Sequence, residues 1–277
     1  MLSHPGRGQG PGDRARPGAG RTRYPLWMRL SVIIPAAGAS SRFGFGDKLS
    51  QELGGRAILL RSVEAFVKRA ETASIIVAAP PEDLEGFRNR FGPQLSFHGA
   101  TIVAGGRTER WESVRNALEA VGDEVTHVAV HDAARPNVSP ELLDRILEAA
   151  RVHPAVVPGV RVASTLKRIG VETVRSAEDD AIADAILGGP AEEPGAPTAH
   201  LVEETVPRER LVAVQTPQVF ERGLLERAYR EGSPEGATDD AMLVERLGEP
   251  VVVVEGEGRN IKVTTPEDLE LARRLAR

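Results

Sequence analysis

Leu30-Ser31-Val32-Ile33-Ile34 runs straight into Pro35-Ala36-Ala37-Gly38-Ala39-Ser40-Ser41-Arg42, and Lys48 follows shortly after. A short apolar run of this kind reads as a buried strand. It empties into a loop of small residues, where backbone N–H groups can approach an anion with no bulky side chain in the way. Arg42 and Lys48 add two cations where a triphosphate would lie. The loop lacks the Gly-Lys-Ser/Thr ending of a P-loop, and Gly44-Phe45-Gly46 does not continue as G-x-G-x-x-G, so neither an ATPase loop nor a dinucleotide fingerprint is supported. Taken alone, the same residues also suit a plain strand-to-helix turn with solvated charges.

Outward from this point the pattern alternates. Leu59, Val63, Phe66 and Val67 give helical spacing over 58–70, and Ser74–Ala79 is strand-like. A helix is expected over 84–91, a strand at 101–103, a helix over 111–121 and a strand at 126–130. Ser139-Pro140 supplies an N-cap and a first-turn proline for a helix through Arg151. Strands alternating with helices at this interval predict an α/β fold, with a largely parallel sheet covered on both faces.

The rhythm breaks between Val160 and Val212. Residues 161–169 and 211–215 read as strands, with an acidic, Ala/Gly/Pro-rich stretch around 172–204 between them. This is expected to be a β-arm over 161–212 with a flexible insert at its tip. Helices near 221–230 and 239–247, a strand at 251–254 and a last helix from Pro266 complete the pattern. Thr265 is the expected cap of that helix, with Glu267 and Asp268 in its first turn.

The 277 residues, 41% of them hydrophobic, suffice for one large domain. Residues 1–27 are rich in Gly, Pro and Arg with no apolar period, and are expected to be a disordered extension ahead of a domain spanning 28–277. Met28, just before the first strand, is the expected natural start; a basic tail is the alternative reading of the arginines. No apolar run is long enough for a membrane span. The absence of cysteine rules out disulfides and thiolate chemistry and fits a cytoplasmic location. The formal charge is −5 although residues 1–30 hold six arginines against Asp13, so the body is acidic and a general nucleic-acid surface is not expected. Only Lys48, Lys68, Lys167 and Lys262 are lysines among 35 basic residues, so each marks a place where a compact point charge stands in a chain that otherwise uses arginine.

Two further stretches carry candidate chemistry. Gly105-Gly106-Arg107 through Arg110 precedes the helix bearing Ser113, an arrangement that can hold a base edge or a phosphate at a helix N-terminus, or form a simple turn. His131-Asp132-Ala133-Ala134-Arg135-Pro136 puts an acid and an arginine beyond the carboxyl end of a strand, where open α/β sheets bind ligands. Asp132 there can help to organise Mg²⁺ and Arg135 can meet an anion, or the two form an ion pair closing the loop. His131 is read as structural.

The order PAAG (35–38), GG…RxxSV (105–114), HDAARP (131–136), STLKR (164–168), TVPR (205–208), QTPQ (215–218), TDDA (238–241) and NIKVTTPEDL (260–269) resembles the 2-C-methyl-D-erythritol 4-phosphate cytidylyltransferase family over residues 31–275. The resemblance implies a Rossmann-like, three-layer nucleotidyltransferase domain with a protruding β-arm. It also implies condensation of CTP with methylerythritol phosphate, release of pyrophosphate, and Mg²⁺ carried mainly by the CTP phosphates. Arg42 and Lys48 then match the pair that stabilises triphosphate charge, and Ala36, Ala37, Gly38, Gly106, Arg110 and Ser113 match CTP-binding positions. Asp132, Arg135, Thr165, Arg208, Thr216, Thr238 and Lys262 match positions around the acceptor, with Lys262 and Arg208 on its phosphate. In the family Thr165, Arg208 and Thr216 help to form the pocket of the neighbouring subunit, which implies a homodimer through exchanged arms.

The chain departs from the family pattern at five places. Asp47 replaces a proline before Lys48, Leu49-Ser50-Gln51 replaces an aromatic-containing continuation, Ser164 replaces an aspartate, the arm insert is longer, and one extra residue before Ser113 leaves Arg107 as well as Arg110 open as the ligand arginine. Rival readings are a ribitol-5-phosphate cytidylyltransferase, which shares the motifs, and a non-catalytic nucleotide-binding homologue. A glycosyltransferase would need an Asp-x-Asp motif, which is missing.

Overall fold

The computed structural model describes residues 28–38, 43, 47–174 and 199–276. Strand β1 (Leu30–Pro35) lies at the centre of the main sheet, and its first five residues are buried. Both of its neighbours, β4 (Thr72–Ala79) and β6 (His127–Val130), run parallel to it, and β5 (Ala100–Ala104) extends the parallel set beyond β4. A strand covered on both faces has no polar side to show, which is why β1 does not alternate; its one polar side chain, Ser31, is buried and accepts from Ser74 Oγ at 2.8 Å.

On the other side of β6 the sheet turns mixed. Strand β11 (Gln218–Glu221) is antiparallel to both β6 and β7 (Ala155–Arg161). Beyond it, β7 pairs with β12 (Val252–Glu255) in parallel and with β10 (Val212–Val214) antiparallel. Strands β10 and β11 are two halves of one interrupted strand: Val214 faces Gly159 and Val219 faces Val156, so five residues on one side span three on the other. Gln215, Thr216 and Pro217 occupy the break, and the Thr216–Pro217 peptide is cis.

Helices α1 (Ile58–Val67), α2 (Leu84–Phe97), α4 (Pro140–Ala150) and α7 (Pro266–Leu275) cover one face. Helices α3 (Arg110–Leu118), α5 (Arg222–Glu231) and α6 (Asp240–Arg246) cover the other. Strand residues divide between the faces with period two: Val32, Ile34, Ile75, Val77 and Ala129 join the first core, Ile33, Ile76, Ala78, Val128 and Val130 the second. The caps form as the sequence predicts. Ser139 Oγ accepts from Leu142 N–H at 3.0 Å, and Thr265 and Asp268 form a capping box.

Several elements differ from expectation. Strand β7 is hidden in the sequence by Pro158 and Gly159, which read as breakers. It survives because Pro158 lies opposite the break between β10 and β11 while pairing with Val254 on its other side. The strand expected at 161–169 merges the end of β7 with the start of β8 (Leu166–Val174). Helix α2 continues six residues past Phe91, through Pro93. A small hairpin, β2 (Glu52–Leu53) with β3 (Arg56–Ala57), turns on Gly54 and Gly55, both at positive φ.

Strand β8 pairs antiparallel with β9 (Ala199–Val206) in a two-stranded ribbon separate from the main sheet. Part of the stretch read as insert is therefore strand. Ile169, Val171, Leu201 and Val202 on this ribbon are exposed. The N-terminal extension, Arg42 and residues 175–198 lie outside the described residues. Among the described residues no helix is long and apolar enough to cross a membrane.

Candidate active site

The loop after β6 is the centre of the site. Asp132 projects from it into a ring of three cations contributed by three separate segments. Its Oδ2 lies 3.2 Å from Arg135 Nε and 3.1 Å from Lys262 Nζ, and its Oδ1 lies 3.4 Å from Arg110 Nε. Burial alone would raise the pKa of Asp132, but the charges of Arg110, Lys262 and Arg135 together outweigh it and hold the carboxyl well below the usual range. Asp132 is therefore ionised throughout the neutral range.

Backbone zippering explains why these residues meet. Val263 N–H donates to Ala134 O at 2.8 Å, and Arg135 Nη1 donates to Asn260 O at 2.8 Å, so the segment after β12 is fastened along the acidic loop and Lys262 lands on Asp132. Asn260 Nδ2 donates in turn to Thr216 O at 2.8 Å, and Gln215 Nε2 donates to Glu257 O at 2.8 Å. Ser62 Oγ on α1 donates to Ala133 O at 2.9 Å, fixing the loop from below.

His131 is fully buried beneath this loop, edge-on to Phe66. Its Nε2 lies 3.1 Å from Arg135 O, so that nitrogen carries the proton, and Nδ1 accepts from the Thr216 hydroxyl at 3.2 Å. Thr216 Oγ1 accepts from Asp132 N–H at 3.0 Å. The neutral ring thus completes a chain from Thr216 to the acidic loop. Burial pushes its pKa down to about 4, with Asp132 only partly opposing the shift. Because the folded value lies below the ordinary value of 6.5, the unfolded chain binds the proton more readily, and stability is lost as pH falls from 6.5 towards 4. His131 is expected to make the protein about 2 kcal/mol less stable at pH 5 than at pH 7. Urea unfolding at the two pH values checks this, since H131Q should remove that part of the difference.

Beside the ring, the glycine loops meet. A Cβ on Gly105 would lie 2.7 Å from Ala37 Cβ, 2.8 Å from Ser113 Oγ and 3.0 Å from Ala79 O, so only glycine lets the loop after β5 pack against the loop after β1. Gly106 N–H donates to Ser113 Oγ at 2.9 Å. Ala36, Ala37, Gly38, Gly106, Ser113 and Arg110 thus belong to two adjoining loops and the helix start between them. Arg110 faces Asp132, whereas Arg107 is exposed.

The remaining predicted residues are more dispersed. Lys48 opens a single 3-10 turn capped by Asp47, whose carboxylate accepts from Leu49 N–H at 3.0 Å and from Ser50 Oγ at 2.7 Å. The unusual residue before the lysine therefore organises its turn with hydrogen bonds instead of a proline ring. Thr238 is exposed, with Oγ1 4.0 Å from Met242 Sδ. Thr165 and Arg208 lie exposed at the root of the ribbon; Arg208 donates to Ala163 O, and neither makes a hydrogen bond or ion pair with the Asp132 ring among the described residues.

Two participants escape a reading of the sequence. Asp240, buried, pairs with Arg110 Nη1 at 2.8 Å, and Tyr229 Oη donates to Asp240 at 2.5 Å. The signal lies in TDDA, where Asp239 is spent capping α6, accepting from Met242 N–H at 3.0 Å, and the second acid has no such duty.

A family model described as 2-C-methyl-D-erythritol 4-phosphate cytidylyltransferase matches residues 30–183 and 177–277. A relative of that name from Frankia casuarinae is 39% identical over 249 residues, covering 89% of this chain and 81% of its own. One from Symbiobacterium thermophilum is 40% identical, covering 90% and 94%. The crystal structure of 2-C-methyl-D-erythritol 4-phosphate cytidylyltransferase from Thermus thermophilus superposes with a TM-score of 0.64 at 36% identity, covering 90% of this chain and 99% of that one. Matches of this extent, over a fold whose loops converge as described, make the chain a member of the 2-C-methyl-D-erythritol 4-phosphate cytidylyltransferase family.

Proposed function

We infer that the protein transfers CMP from CTP to 2-C-methyl-D-erythritol 4-phosphate, releasing pyrophosphate, in non-mevalonate isoprenoid precursor synthesis. The observation that carries this reading is the ring of Arg110, Arg135 and Lys262 around Asp132, next to a glycine-lined pair of loops. A phosphate oxygen of the acceptor forms a bond to the α-phosphorus of CTP, while the bond from that phosphorus to the bridging oxygen breaks and its electrons leave with pyrophosphate. Both reactants are anions, so mutual repulsion is the main obstacle. Positioning and charge stabilisation are what phosphoryl transfer asks of a protein. The attacking phosphate is already ionised at neutral pH, so no general base is assigned, and neutral His131 stays a structural element.

In this reading the loop residues Ala36, Ala37, Gly38, Gly106 and Ser113 hold CTP together with Arg110. Arg42 and Lys48 balance the triphosphate, and Lys262 and Arg208 hold the acceptor phosphate, with Arg135, Thr216 and Thr238 lining the acceptor side. Mg²⁺ would be carried mainly by the CTP phosphates; Asp132 could add one carboxylate only by giving up part of its contact with Arg110, Arg135 and Lys262. Bound with CTP, it would supply further positive charge to the triphosphate. We also propose a homodimer in which Thr165 and Arg208 serve the neighbouring subunit's pocket; Thr216, expected with them, is instead buried against Asp132 and His131 of its own chain. The lack of contact of Thr165 and Arg208 with their own Asp132 ring and the exposed aliphatic side chains of the ribbon support the dimer. The cysteine-free composition fits work in the cytoplasm.

A pyrophosphate-release panel tests base and acceptor together, with CTP, UTP and ATP crossed against methylerythritol phosphate and ribitol 5-phosphate. Turnover is expected with CTP and methylerythritol phosphate. Turnover only with ribitol 5-phosphate would reassign the acceptor, and nucleotide binding without turnover would make the chain a non-catalytic homologue.

A further inference from the structure

Arg110 is shared between two acids. Its Nη1 donates to Asp240 Oδ2 at 2.8 Å, while its Nε faces Asp132 Oδ1 at the longer distance of 3.4 Å. Its Nη2 makes no hydrogen bond among the described residues, and the side chain remains 28% exposed. The guanidinium is thus held through Nε and Nη1, and it stands at the start of the helix that follows Gly106 and carries Ser113.

Asp240 has no stake of its own in the surface: its side chain is 1% exposed. Both its oxygens are engaged, one by Arg110 and the other by Tyr229 Oη at 2.5 Å. Helix α6 does not need it as a cap, since Asp239 fills that place. A buried ion pair is weak evidence for stability, because desolvation of both charges offsets their attraction. Orientation is the better account. An arginine and a carboxylate prefer a two-pronged arrangement. Without Asp240 holding Nη1 away, Arg110 would close onto Asp132 with two parallel hydrogen bonds.

Building on the proposed cytidylyl transfer, we propose that Asp240, braced by Tyr229, is a positioning residue that divides Arg110 between two carboxylates and keeps its free edge turned towards CTP. It acts through Arg110 and touches neither substrate. Asp240→Asn keeps the shape and removes the charge. Tyr229→Phe removes only the brace.

The test is a cycle of D240N, R110A and the double variant, with Y229F alongside, each assayed with CTP varied at saturating acceptor and the reverse. D240N is expected to raise KM for CTP about 10- to 30-fold while leaving KM for the acceptor within about twofold, and Y229F to shift the same ratio about threefold. In the R110A background D240N should add nothing. A further loss in that background, or equal shifts in both KM values, overturns the proposal. Should D240N melt below the assay temperature, Y229F decides by the same ratio: a CTP-selective shift supports, none overturns. If the wild type binds CTP but turns over no methylerythritol phosphate, the acceptor assignment fails while the cycle, read as CTP affinity by calorimetry, still decides the role of Asp240.

Discussion

Lys262→Ala is expected to lower kcat/KM for the acceptor about 10²- to 10³-fold, the range for deleting one fixed group that stabilises transition-state charge. Its melting temperature should barely move. The lysine is 40% exposed, and after its loss Asp132 keeps Arg135 and Arg110, so the ion pair is worth no more than about 1 kcal/mol to the fold. Pyrophosphate release and thermal melts separate the two quantities. Lys262→Arg should recover part of the loss, since the charge returns with a fork of different shape. A K262A variant with wild-type turnover would show that the lysine serves only Asp132.

Asp132→Asn should do the opposite in kind: it is expected to abolish turnover and also to destabilise the fold, by about 2–4 kcal/mol at pH 7. Three cations then share a site with no carboxylate between them. The figure stays below that for a fully buried pair because Lys262 and Arg110 reach solvent and Arg110 keeps Asp240. The pH dependence has a definite sign. Asp132 is held below its unfolded value, so its contribution is complete above the ordinary carboxylate pKa of about 4 and fades as pH drops further towards the folded value. Urea unfolding should therefore show a constant gap between wild type and D132N from pH 7 to about 5, narrowing below about 4. A gap that widens in acid would mean that the carboxylate is not the partner of these cations.

What can be read from the chain alone follows the range over which each signal acts. The apolar run at 30–34, the periodicity expected over 58–70 and the caps at Ser139 and Thr265 are local, and the elements begin where the residues put them, the helix from Ile58 ending at Val67, three residues early. Strand β7 escapes such a reading because Pro158 and Gly159 are breakers in isolation, and only the break in the strand beside it makes them tolerable. Strand β11 has four residues, too few for its alternation to stand out, and it is defined by β6 and β7 on either side. Motif reading anticipates the meeting of Asp132, Arg135 and Lys262. It does not anticipate Asp240, whose partner Arg110 is 130 residues away and whose burial depends on α5 and α6 packing together.

The interrupted strand has a mechanical corollary. Thr216 sits where the returning leg of the ribbon enters the sheet, and its hydroxyl grips the amide of Asp132 and the ring of His131 at once. Gln215 and Asn260 clamp the same point to the segment bearing Lys262. A turn over residues 207–211, closed by Leu211 N–H on Arg208 O at 3.0 Å, and the short β10 are all that separate the ribbon from this clamp, so the ribbon's root and the acid–lysine pair are tied to one short stretch of chain.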